Sequence, residues 1–191
     1  MRTNTRTNFV VALLLLAVFA LACSSDDETK KANEFIDKAN KTIETANEAS
    51  QKGGKRVVEM EGMIAEIKSE SDLARARDVA RDCKELFTKA RDAYKEASEG
   101  FSSASKLKVH EKFKEYTETK ASELTTRSEM MSAGIDEAQA LIDSENRQDY
   151  QAKVKSIVKR FTEAKEKAEE LTKKGDKIFA DNKEIFRDEK K

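Results

Sequence analysis

One histidine, two cysteines and 37 carboxylates are the side chains of this 191-residue chain that could attack, ligate or move a proton. His110 stands in Lys108-Val109-His110-Glu111-Lys112, with no second histidine or cysteine at ligand spacing. A zinc site needs three or four such ligands, and a di-iron bundle needs a Glu-x-x-His pair on each of two helices. One histidine supplies neither, so His110 reads as a solvated helix residue. Cys83 falls between Ala80 and Phe87 in an apolar series, where a thiol acts as a small filler. The carboxylates alternate with Lys and Arg at helical spacing, as solvated faces do. None of the glycines Gly53, Gly54, Gly62, Gly100, Gly134 and Gly175 forms a phosphate-cradling loop. Met60 with Met63, and Met130 with Met131, offer a soft apolar patch or, more commonly, core filler. The expectation is a protein with no catalytic residue, no metal and no cofactor.

Cys23 is different. It closes a segment with Arg2 and Arg6 at its start and an apolar run from Phe9 to Ala22, with no acid before Asp26. Fourteen residues make a helix of roughly 21 Å, short of a hydrocarbon core of about 30 Å. That length suits the hydrophobic region of a signal peptide rather than a permanent span. The segment Ala20-Leu21-Ala22-Cys23, followed by Ser24-Ser25-Asp26-Asp27-Glu28, resembles the lipobox of bacterial lipoproteins. Ala20 and Leu21 occupy positions where that pattern usually carries Leu and a small residue. The resemblance covers only residues 1–24. It implies cleavage before Cys23 and a thioether-linked diacylglycerol on its sulfur. At about 0.8 kcal/mol per buried methylene, two or more acyl chains anchor stably. The expected organisation is a signal peptide at 1–22, a lipidated cysteine and tether at 23–28, and a folded domain at 29–191. The resemblance implies a bacterial cell envelope location, with Ser24 compatible with the outer membrane, facing the periplasm or the cell surface.

The elements that would position any site are helices. The chain has no Pro and no Trp, and 39% of its residues are charged. Past Ala22 the 37 basic residues lose Arg2 and Arg6, leaving 35 against 37 acids, a net −2. Such a balance argues against a nucleic-acid or general anionic-surface partner. With Cys23 lipidated, Cys83 is left alone and no internal disulfide forms.

Four heptad-patterned series decide between helix and disorder. The first runs Ala32, Ile36, Ala39, Ile43, Ala46, then Val57, Met60, Ile64 and Ile67, with Ser50 and Gly53 in the seam. It predicts one helix over about 27–68, or two helices kinked at Gly53-Gly54. Ser69-Glu70-Ser71-Asp72 breaks it with N-cap chemistry. The second runs Leu73, Ala76, Ala80, Cys83, Phe87, Ala90, Tyr94, Ala97, Phe101 and Ala104. The third, Val109, Phe113, Tyr116, Leu124, Met131, Ile135, Ala138 and Ile142, is less regular and stops at Asp143–Asn146. The fourth runs Tyr150, Val154, Ile157, Phe161, Ala164, Ala168, Leu171, Gly175, Ile178 and Ile185, with Asn182 as a polar seam residue that would fix register. A faint echo of Phe87–Asp92 in Phe161–Glu166 is the only trace of a repeat.

These series predict an all-α fold: an elongated antiparallel four-helix bundle, coiled-coil-like. If Ser102–Ser105 does not turn, three helices result, the middle one very long. Residues 24–68 and 105–146 are acidic and 147–191 are net +4, so in a cyclic bundle the fourth helix would complement both neighbours. Lipid and chain end would lie at the membrane-near end, and the Ser69–Asp72 and Asp143–Asn146 turns at the far tip. The function expected is a membrane-anchored structural or protein-interaction module with an envelope protein as partner. The alternatives are a surface adhesin or ligand binder, and a lipid-handling protein. A heptad bundle can exchange helices between protomers, which leaves a homo-oligomer open. The basic fourth helix, with Lys153, Lys155, Lys159, Arg160, Lys165, Lys167, Lys173 and Lys174, would serve intramolecular pairing before an acidic partner or headgroups.

Overall fold

The computed structural model describes residues 26–186. Four helices follow in chain order: α1 Asp26–Glu66, α2 Glu70–Ser105, α3 Glu111–Ile142 and α4 Arg147–Asp181. No described residue lies in a strand. The four-helix expectation holds. The turn falls a little later than the Ser102–Ser105 cluster, because the serine hydroxyls bond back into the helix instead of ending it. Ser103 Oγ donates to Glu99 O at 2.8 Å and Ser105 Oγ to Ser102 O at 2.9 Å. The chain reverses through Lys106–His110.

Helix α1 begins inside the segment expected as tether. Asp27 and Glu28 lie in its first turn, where negative charge meets the positive end of the helix dipole. It runs unbroken through Gly53-Gly54. The side chain that requires a glycine there belongs to α2. A Cβ on Gly53 would lie 2.7 Å from the Phe87 ring, and one on Gly134 of α3 would lie 2.8 Å from the same ring. Phe87 is therefore wedged between α1 and α3, and the three helices share one core.

All ten residues of the second series are buried, as a seam shared by two neighbours should be. Residues 32, 36, 39, 43 and 46 of α1 are buried with them. Helix α3 carries two seams. Phe113, Thr117, Leu124, Met131, Gly134, Ala138 and Leu141 form one; Thr119, Glu123, Thr126, Met130, Ala133, Glu137 and Ala140 form another, continued past the helix end by Ser144, and all are buried. The second receives α4: Gly175 packs on Thr119 and Lys120, and Tyr150 OH donates to Glu137 Oε1 at 3.2 Å.

The helices pack in series, α1 on α2, α2 on α3 and α3 on α4, and no other pair packs to a comparable extent. This corrects the cyclic expectation. Helix α4 finds a charge complement on α3, where Arg160 meets Asp136 at 2.8 Å. Lys153 Nζ donates to the Asp143 carbonyl at 2.9 Å, one heptad earlier on α4 and one later on α3. Asn182 is corrected too. It is the residue after α4, donating Nδ2–H to Ile178 O at 2.7 Å, so it ends the helix rather than setting register in a seam. Ending α4 there lets Phe186 fold back, buried, against Phe113, Tyr116 and Phe179 with ring centroids 5.2–6.1 Å away.

The two ends differ in character. At one, Glu28 accepts from the backbone N–H of Lys108, joining the start of α1 to the α2–α3 turn beside the aromatic cluster. At the other, the Ser69–Asp72 and Asp143–Asn146 turns sit together. There Arg147 Nη1 donates to Ala65 O at 3.1 Å and Arg77 Nη2 to Ser144 O at 2.6 Å. At ~1.5 Å per residue the 41 residues of α1 separate these ends by roughly 60 Å.

Candidate functional site

The chemistry-bearing residues do not converge. Cys23, the lipidation position, lies outside the described residues. Cys83 is fully buried in α2. Burial, with a smaller contribution from the Glu137 charge, pushes its thiol up to about 12, so the nucleophilic thiolate is absent at neutral pH. His110 is exposed and caps α3, its Nδ1 accepting from Lys112 N–H at 3.1 Å. That is a positional role which the reading of a solvated helix residue had not assigned. Met60, Met130 and Met131 are buried, and Met63 packs partly buried against the same core. They fill core space instead of forming a patch. Of the basic residues on α4, Lys153, Lys155, Lys159, Arg160, Lys165, Lys167, Lys173 and Lys174 are all exposed.

Sequence reasoning missed a polar layer at mid-height. Tyr94 of α2, 2% exposed, donates to Asn47 Oδ1 of α1 at 2.7 Å. Ser98 of α2 donates to the Ala121 carbonyl of α3 at 2.8 Å. On α3, Glu123 has a side chain only 3% exposed and accepts from Lys120 and from Arg127 Nε, the latter at 2.8 Å. Arg127 Nη2 then donates to Thr172 Oγ1 of α4 at 3.3 Å. With Tyr94 also interacting with Arg127, these polar contacts reach all four helices.

Its electrostatics decide what it can do. Burial alone would raise the Glu123 carboxyl, but Lys120 and Arg127 overcome that and hold it below the ordinary glutamate value. Burial raises the Tyr94 phenol. Glu123 therefore stays ionised and Tyr94 protonated at neutral pH, so neither of the two is poised to exchange a proton. The layer specifies which helices meet and at what height. The sequence signal was a lone Glu and Arg at i and i+4 among threonines, which on any exposed face would mean little.

Two surface depressions are shallow. One lies between α2 and α3, lined by Arg81, Lys84, Thr88 and Gln139. The other lies at the tip, where Ser69 and Asn146 cap α2 and α4 beside Arg77 and Arg147. Among the described residues no group of His, Cys, Asp or Glu is arranged to hold a metal ion, and no helix is long and apolar enough to cross a membrane. Comparison with protein-family models, with curated proteins and with solved structures returned no match.

Proposed function

We propose that this chain is a membrane-anchored cell-envelope lipoprotein, held by a lipid on Cys23, whose helical bundle serves as a structural or protein-interaction module without catalysis. The observation that carries the reading is Cys23 itself, preceded by a basic start and an apolar run and followed within three residues by α1. So short a link stands the start of α1 close to the membrane and carries the Ser69–Asp72 and Asp143–Asn146 turns to the far end. A rod of this length suits contact with another envelope protein across a gap. The bundle needs no cofactor or nucleic acid for that role.

Feeding cells an alkyne-bearing fatty acid tests the anchor. The full chain should take up label and partition with membranes, and Cys23→Ala should do neither. An unlabelled wild-type chain overturns the reading. Crosslinking in cells should then recover a defined envelope protein, and protease treatment of intact cells assigns the face. Digestion from outside would replace an inward-facing module with a surface adhesin.

A further inference from the structure

We propose that the open flank between α1 and α4 is a self-association surface, across which two copies of this chain pair side by side. Packing in series leaves α1 and α4 as the two edges of the molecule. Val58 of α1 is 64% exposed, and among the described residues it is the large apolar side chain left in solvent. One turn on, Gly62 faces open space, with nothing within 4 Å of where a Cβ would stand. Helix α4 offers Val158, half-buried, beside Val154 and Phe161, which pack partly buried against the chain's own core. Periodicity sets these three on one flank of α4.

The two side chains stand at neighbouring heights. The Arg147–Ala65 bond ties the helices at the tip. Val58 lies seven residues before Ala65 and Val158 eleven after Arg147, so they stand roughly 10 and 16 Å below that bond.

Charge selects the occupant. Helix α1 carries ten acidic and seven basic residues, and α4 carries ten basic and seven acidic. A second copy therefore sets its α4 against α1 in preference to setting like helices together. A two-fold axis along the bundle does this at both edges at once, antiparallel as within one chain. It also keeps both chain starts at one end, so two lipids can enter one membrane; that last point rests on the anchoring reading. Two helix edges about 10 Å wide and 50 Å long offer about 1,000 Å² per copy, above the roughly 800 Å² per partner of a standard interface.

The test uses residues 24–191, which hold all four helices. Sedimentation equilibrium from micromolar to millimolar protein should give a dimer. Val58→Asp should raise its dissociation constant at least tenfold while leaving the thermal melt of dilute protein unchanged. Two differently tagged copies, one Val58→Cys and one Val158→Cys, should be joined between tags by a short thiol-specific crosslinker, with buried Cys83 not competing. A monomer at every concentration overturns the proposal. So does a Val58→Cys, Val158→Cys double variant that closes only within its own chain, or Val58→Cys pairing with itself in preference to Val158→Cys. Dimerisation in solution does not involve the lipid. Loss of the dimer with Cys23 labelled sinks only this inference, and loss of label with the dimer intact sinks only the anchor.

Discussion

Phe87 is the side chain on which three helices depend. Its ring occupies the space that a Cβ at Gly53 or Gly134 would need, and it is itself buried in well-packed helices with nowhere to retreat. Gly134→Ala should therefore destabilise the bundle by about 1–3 kcal/mol through overpacking, despite the better helix propensity of Ala. Gly62→Ala, with nothing nearby, should instead stabilise dilute protein by about 0.5–1 kcal/mol. Denaturant titration distinguishes the two, and equal effects would show that propensity rather than packing governs both positions. The same burial controls Cys83. With its thiol pushed up to about 12, alkylation near pH 8 should be negligible in native buffer and should rise only as denaturant opens the fold. Fast labelling of the native protein would contradict the buried position. Arg127→Met should cost about 1–3 kcal/mol, since it leaves Glu123 buried with Lys120 as its remaining cation.

At the scale of the element, the α2 start and the α3–α4 seam carry separate predictions. Ser69 and Asp72 form a reciprocal capping box. Hydrogen bonds from the Ser69 hydroxyl, the Lys68 amide and Arg75 hold the Asp72 carboxyl at about 2. A depressed folded-state value stabilises above the unfolded value, near 4, and that stabilisation is lost as pH falls towards 2. Acid unfolding of Asp72→Asn should consequently be flatter than wild type across that window; an unchanged profile would remove the capping box from the account. On the other seam, Arg160→Asp should destabilise by less than about 1 kcal/mol, because both partners are half in solvent. Adding Asp136→Arg should restore most of the loss, and salt should shrink the difference. These two elements also mark what the sequence could convey. Helix α2 was legible residue by residue, because its one broad apolar seam uses Leu, Ala, Phe and Tyr against two neighbours. Helix α3 looked irregular because its second seam is built from Thr, Glu, Ala and Ser, buried only when α4 arrives. Apolar periodicity cannot register a seam made of small and polar residues. For the same reason the polar layer was invisible. Cys23 lay at the opposite extreme: its whole signal is local sequence, and it needs no fold to be read.

Taken as a whole molecule, the series packing grades the helices by how many neighbours hold them. Helices α2 and α3 each touch two partners, α1 shares the Phe87 core, and α4 rests on α3, meeting α1 at the tip through Arg147. The α3 face beneath α4 holds two buried carboxylates and several hydroxyls, and Val154, Phe161, Ala164 and Leu171 of the α4 seam remain half-buried. Less apolar area leaves water when α4 docks, so its opening should require less free energy than global unfolding. Native-state hydrogen exchange should accordingly show the fastest opening across Arg147–Asp181 and the slowest in α2 and in the first seam of α3. Exchange of all four helices at one free energy would instead make the bundle a single cooperative unit. Protein concentration adds a second dimension. If a partner copy covers the α1 and α4 edges, protection of both should rise with concentration while the α2 interior changes little, since mass action stabilises only what the partner touches. Val58→Asp should abolish that concentration dependence and leave the dilute-protein ranking of the helices intact.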